Sequence, residues 1–173
     1  MTKDEEYMRQ FASFAAAFAI MIGTIGIDRA ASAAETKRAF PYYASIGAAR
    51  ARMRTGPART YPASWLYQRA DLPVQVIAGF KEWRKVRDPD GTEGWMQANL
   101  LRDTRTAIVR GTAPVELRER PAAASTLMWR AAPGVVGRLS QCANGWCRID
   151  VKGQAGFVET AGLWGVEGGE RLP

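Results

Sequence analysis

Cys142 and Cys147 are the two cysteines of the chain, and they bracket Ala143-Asn144-Gly145-Trp146. Asn-Gly is the strongest short signal for a two-residue type I′ hairpin turn. With that turn Ala143 faces Trp146, and Cys142 faces Cys147 as a non-hydrogen-bonded pair with Cα atoms about 4.5 Å apart. A disulfide can close across that distance, and the spacing lacks the two-residue gap of redox-active thiol pairs. The expected chemistry is a structural staple. No histidine occurs anywhere in the sequence. Neither a Ser-His nor a Cys-His nucleophile can be assembled without one, and two cysteines alone cannot complete a zinc site. Asp88 and Asp90 could open a metal loop, but the supporting ladder of ligands is missing. Asp88-Pro89-Asp90-Gly91 suits a turn instead. The sequence predicts no catalytic residue, no metal and no cofactor.

The remaining candidates are aromatic and basic. Residues an odd number apart on a strand face opposite ways. Cys147, Ile149 and Val151 therefore share one face, and Trp146 shares the other with Arg148, Asp150 and Lys152. The same parity sets Trp83 with Lys85 and Arg87, opposite Val86, and places Trp95 and Phe157 opposite Met96 and Val158. Apolar rings on a charged face usually contact something. Either they pack under a loop or between units, or they meet a ligand. The candidate ligand-binding set is Trp83, Trp95 and Trp146, with Tyr61, Trp65 and Tyr67 from a long loop. The formal charge of +7 suits partners bearing carboxylates or phosphates, or simply a soluble surface.

These residues recur because the chain writes one small β unit twice. Met53-Arg54-Thr55-Gly56-Pro57 and Leu117-Arg118-Glu119-Arg120-Pro121 open the copies. Trp83-Arg84-Lys85-Val86 and Trp146-Cys147-Arg148-Ile149 follow, then Gly94-Trp95-Met96 and Gly156-Phe157-Val158. The first repeat is expected over 46–109 and the second over 112–166. In the first, strands are predicted at Arg50–Arg54, Leu72–Ala78, Trp83–Arg87 and Glu93–Gln97, with a turn at Gly79, a tight turn over Ala98–Leu101 and a closing strand over Thr104–Val109. In the second they are predicted at Val115–Arg118, Val135–Cys142, Trp146–Val151 and Ala155–Glu159. Thr55–Asp71 and Glu119–Pro133 read as loops, and Glu35–Ser45 carries no usable pattern. Val109–Pro114 is too short for a flexible linker, so the two units should abut.

Phe11–Ile27 is an apolar or small-residue run, followed by Ala31-Ser32-Ala33, the small-x-small pattern of a signal-peptidase site. Residues 1–34 are expected to form a signal helix. Translation from Met8 would give a more basic start than Met1. A retained membrane anchor over residues 11–27 is the alternative, at the short end of the spanning range.

The repeated pattern resembles the bacterial SH3-like (SH3b) domain: apolar-Arg-x-x-Pro, Trp-x-x-Val/Ile, and Gly-aromatic-apolar with Leu shortly after. It is similar, too, to exported tandem SH3-like proteins of alphaproteobacterial type whose second repeat carries Cys-x4-Cys around a Trp. The resemblance implies an all-β fold of two tandem small five-stranded SH3-like barrels, preceded by the signal helix. It also implies a periplasmic or secreted binding protein of the cell envelope, inner-membrane anchored if residues 11–27 are kept. The partner implied is peptidoglycan or an envelope protein, held by aromatics and Arg, with no nucleic acid; an assembly subunit is the alternative. In peptide-binding SH3 domains a Gly-aromatic-Ile-Pro-Ser-Asn-Tyr segment helps to build a polyproline groove. Here it reads Gly94-Trp95-Met96-Gln97-Ala98-Asn99-Leu100 and Gly156-Phe157-Val158-Glu159-Thr160-Ala161-Gly162. The groove's Trp is kept as Trp83 and Trp146, but the Pro and Tyr are not, so a polyproline ligand is not expected.

Overall fold

The computed structural model describes residues 38–173; the expected signal helix over residues 1–34 lies outside the described residues. Among these, no helix is long and apolar enough to cross a membrane. The fold is all β. The first sheet contains β1 Tyr42–Ile46, β2 Ala51–Arg54, β3 Ala63–Tyr67, β4 Pro73–Phe80, β5 Trp83–Arg87, β6 Glu93–Gln97 and β7 Leu101–Arg102. The second contains β8 Thr106–Val109, β9 Val115–Arg118, β10 Leu127–Ala131, β11 Val136–Ala143, β12 Trp146–Val151, β13 Gln154–Glu159 and β14 Leu163–Trp164. Their strand orders are β3-β2-β6-β5-β4-β1-β7 and β10-β9-β13-β12-β11-β8-β14. The second order is the first with seven added to each strand. The duplication read from the motifs is a duplication of topology.

Each sheet wraps its own core. Ile46, Met53, Val74, Val76, Val86 and Met96 fill the first; Val109, Leu117, Cys142, Cys147, Ile149 and Val158 fill the second. The alternation expected from parity is there: Val86 and Ile149 point inward, and neither Trp83 nor Trp146 belongs to a core. The glycines of the Gly-aromatic-apolar motif have a steric reason. A Cβ on Gly94 would lie 2.9 Å from the Arg54 carbonyl oxygen, and one on Gly156 would lie 2.8 Å from Leu117 Cβ. At those points β6 and β13 cross β2 and β9 too closely for a side chain.

Four expectations are corrected. Thr106–Val109 does not close the first unit; it is β8 of the second sheet, paired with β11 and β14. The first sheet is completed instead by Tyr42–Ile46, paired with β4 and β7. The presumed loops contain β3 and β10. Both are edge strands exposed along most of their length, so they carry no alternation for a sequence to reveal. Finally, β4 runs through Gly79 to Phe80, and Lys81 takes the left-handed turn position with φ 49°. With these additions and the two-residue strands β7 and β14, each sheet has seven strands, where the resemblance implied five. The tight turn at Ala98–Leu100 is a 3₁₀ turn, repeated at Thr160–Gly162.

Asn144 and Gly145 have φ of 51° and 80°, both positive as a type I′ turn requires. Cys142 lies opposite Cys147 and is disulfide-bonded to it. Gly79 pairs with Arg84 at the corresponding place in the first sheet, which is unstapled. Replacing both cysteines with Ala should lower the stability of the second unit by about 2 kcal/mol, the chain-entropy value for so short a loop. Urea unfolding of the oxidised protein and the double variant would show it as separated midpoints; coincident midpoints would contradict it.

The units abut through side chains. Tyr43 and Trp164 meet edge-to-face with ring centroids 5.3 Å apart, and the Arg105 guanidinium sits 5.5 Å from the Tyr43 ring centre. Burial, reinforced by the nearby charge of Glu167, raises the pKa of the Tyr43 phenol. Arg138 pairs with Asp71 at 2.8 Å, and Arg110 donates to the Pro89 carbonyl at 2.8 Å. The exposed ion pair adds little; the aromatic contact is the anchor.

Candidate functional site

The opening Arg of each repeat holds the loop that follows it. Arg54 donates to the Tyr61 carbonyl at 2.6 Å and Arg118 to the Ser125 carbonyl at 2.6 Å, each seven residues on. The Arg of the apolar-Arg-x-x-Pro signature is thus a loop tether in both units. Beside it, on the outer face of the sheet, lies a groove.

In the first unit the groove has a volume of about 420 Å³. Arg50, Arg52, Arg54 and Arg59 line it, together with Leu66, Trp83, Gln97 and Leu100. Trp83 is 4% exposed, so of the two expectations for a ring on the charged face, packing under neighbours or standing open to a ligand, the ring itself meets the first. Parity gives its side of the sheet correctly, but its neighbours cover it, and it forms the groove floor. Its indole N–H donates to Glu82 Oε1 at 3.2 Å; Glu82 is not part of the lining. Trp95 is half-buried on the same face, opposite Lys85 and Arg54 in the register. Glu93 is engaged by Lys85 at 2.8 Å and Arg87 at 2.6 Å. Hydrogen bonds from Lys85, then Arg87, lower the pKa of its carboxyl.

The loop aromatics are not gathered at this groove. Leu66 pairs with Arg52, but Trp65 pairs with Met53, so Trp65 occupies the other face of β3. It is 57% exposed, with its ring 6.5 Å from that of Tyr67. Tyr61 is exposed and lies over Gly56, where a Cβ would approach its ring to 2.5 Å. Tyr67 corrects the sequence reading most firmly. It is buried, and its hydroxyl donates to Asp88 Oδ2 at 2.7 Å. Burial, then the bond to Asp88, drives its pKa far above the ordinary tyrosine range. Asp88 Oδ1 accepts from the Asp90 and Thr92 amides at 3.0 and 2.8 Å. Asp88 thereby ties the β5–β6 turn to β3. Among the described residues no cluster of acidic or cysteine side chains could hold a metal ion.

The second unit repeats the groove at about 250 Å³. Trp146, Glu159, Gly162 and Arg118 stand where the first has Trp83, Gln97, Leu100 and Arg54; Val115, Glu116, Ala123 and Val158 complete it. The register makes the match, since Trp83 pairs with Gln97 and Trp146 with Glu159. Trp146 is half-buried. Sequence reasoning missed Trp129, opposite Leu117 as Trp65 is opposite Met53, and Trp164 between the units. The offset between the repeats would have found Trp129. Nothing in the sequence marks Trp164.

Two wrapped sheets of one order, each with a Trp-floored groove beside a tethered loop, are what a duplicated module leaves. The profile described as bacterial SH3 domain matches residues 47–103 and again 111–165. The chain belongs to the bacterial SH3 domain family. A comparison with curated proteins finds no match. Among solved structures, this bacterial SH3 pair is similar to NlpC2 from Trichomonas vaginalis, at 14% identity and a TM-score of 0.33, covering 74% of this chain and 51% of that one. It is also similar to NlpC1 from Trichomonas vaginalis, at 12% identity and a TM-score of 0.33, covering 73% of this chain and 46% of that one. The chain thus spans about half the length of these structures.

Proposed function

We propose that this protein is a non-catalytic binding module acting outside the cytoplasm, which attaches to cell-wall polymer through the groove of its first SH3 unit. The observation that carries the reading is the groove itself: an indole floor, apolar walls at Leu66 and Leu100, and four arginines around it. An anionic, partly apolar chain such as a peptidoglycan strand with its peptides offers matching chemistry. The disulfide agrees with an oxidising compartment, and the absence of histidine with a role in binding. The full chain is expected to sediment with purified sacculi. Trp83→Ala, and Leu66→Glu at an exposed position that leaves the floor intact, should each cut the bound fraction by about tenfold in affinity, or 1.4 kcal/mol. No sedimentation, or equal sedimentation of both variants, would overturn the proposal. A second reading, docking to another envelope protein, draws on one observation. Leu127, Met128 and Trp129 are exposed side by side on edge strand β10, a place where protein partners attach.

A further inference from the structure

The duplicated groove has not kept its charge. With the repeats aligned on Met53 and Leu117, the exposed Arg50, Arg52 and Arg59 correspond to Pro114, Glu116 and Ala123. Arg54 and Arg118 correspond and share the tethering role, so they do not distinguish the grooves. Gln97, beside the first floor, corresponds to Glu159 beside the second. The first groove is lined by four arginines and no carboxylate; the second is lined by one arginine and two glutamates.

Pairing sharpens the contrast. In the second unit Arg118 is bound to Glu116, and Arg130 reaches the same carboxylate at 3.4 Å. Arg118, Arg130 and Glu116 thus satisfy one another there. Among the described residues, none of Arg50, Arg52, Arg54 and Arg59 makes an ion pair. Guanidinium groups gathered without a counter-charge repel one another, and a bound anion relieves that repulsion. The planar fork of each matches a carboxylate or phosphate in two parallel hydrogen bonds. An anion entering the second groove meets Glu116 and Glu159 instead.

We infer that the two grooves have divided in specificity: the first is a receptor for a chain bearing carboxylate or phosphate groups, and the second rejects such a chain. The inference deepens the binding reading above and rests on the same groove. It adds that the duplication does not confer two equivalent attachment points. Attachment to an anionic polymer is single, oriented by the first unit, and weakened by salt.

The test uses the full chain, with hexaglutamate as the carboxylate probe and tripolyphosphate as the phosphate probe. Calorimetry gives affinity, and indole N–H resonances in nuclear magnetic resonance spectra report which tryptophan responds. The Trp83 signal should shift with at least one probe while the Trp146 signal stays in place. Which probe binds more tightly identifies the source of the anionic group. Arg50→Ala/Arg52→Glu/Arg59→Ala removes the three exposed arginines, giving the last two the second unit's residues, and should weaken binding at least tenfold. The reciprocal Glu116→Arg/Ala123→Arg/Glu159→Gln should bring the Trp146 signal into response. Equal shifts at both tryptophans, unchanged affinity in the first triple variant, or no binding of either probe would overturn the inference. Sacculi that leave the protein in solution while hexaglutamate still reaches Trp83 would remove the wall-polymer reading and leave this one standing. Sacculi that sediment the protein while neither probe reaches the groove would do the reverse.

Discussion

Asp88→Ala is expected to destabilise the first unit by about 3 kcal/mol. The carboxylate is 7% exposed and accepts three hydrogen bonds, from the Tyr67 hydroxyl and the amides of Asp90 and Thr92. An intramolecular hydrogen bond contributes about 1 kcal/mol net, and a buried donor left without an acceptor adds its own desolvation penalty. Tyr67→Phe removes one of the three and leaves the turn intact, so it should cost about 1 kcal/mol. Urea unfolding of both variants, with hydrogen exchange to assign the loss to residues 42–102, measures the difference. Equal destabilisation by the two would mean that the turn amides do not depend on Asp88.

Gly94→Val should have an effect of similar size by a different route. The added Cβ would lie 2.3 Å from Met53 Cγ and 2.9 Å from the Arg54 carbonyl oxygen. The methionine can move but the carbonyl belongs to β2, and parting β2 from β6 opens the core around Met53 and Met96. Overpacking of this kind costs about 1–3 kcal/mol; a branched side chain against backbone belongs at the upper end, and Gly94→Ala lower. Thermal unfolding checks the order, wild type above Ala above Val. A Val variant as stable as wild type would show that β2 and β6 do not pack as closely as the structure has them.

Much of this fold is legible in the sequence because the relevant signals are local. Asn144-Gly145 dictates a turn by its backbone preferences, and the turn alone places Cys142 against Cys147. Alternation in Trp146–Val151 assigns faces without knowledge of any neighbour. The duplication converts two weak motifs into one consistent topology. The missing pieces depend on partners distant in the chain. Tyr42–Ile46 becomes a strand because β4 and β7 receive it, and β3 and β10 lack alternation because they are edges.

The candidate site was legible in kind and misjudged in detail. Parity gives the face of Trp83 but not what covers it, since Arg50, Arg52 and Arg59 reach the groove from a different strand and loop. Tyr67 looked like a loop aromatic, yet it is half of a buried pair whose other half, Asp88, lies 21 residues away. The sequence reading has arginines holding a partner's anionic groups but names none of them. Only the comparison of two folded grooves shows that four of them stand together and that their counterparts do not.

The most direct test is a photoreactive side chain in place of Leu66, which is 37% exposed on the groove wall. Irradiated in cells, the protein should form adducts that release disaccharide-peptide fragments after digestion of the wall, and Arg50→Ala/Arg52→Glu/Arg59→Ala should abolish them. Adducts to protein alone, or none at this position, would contradict the account.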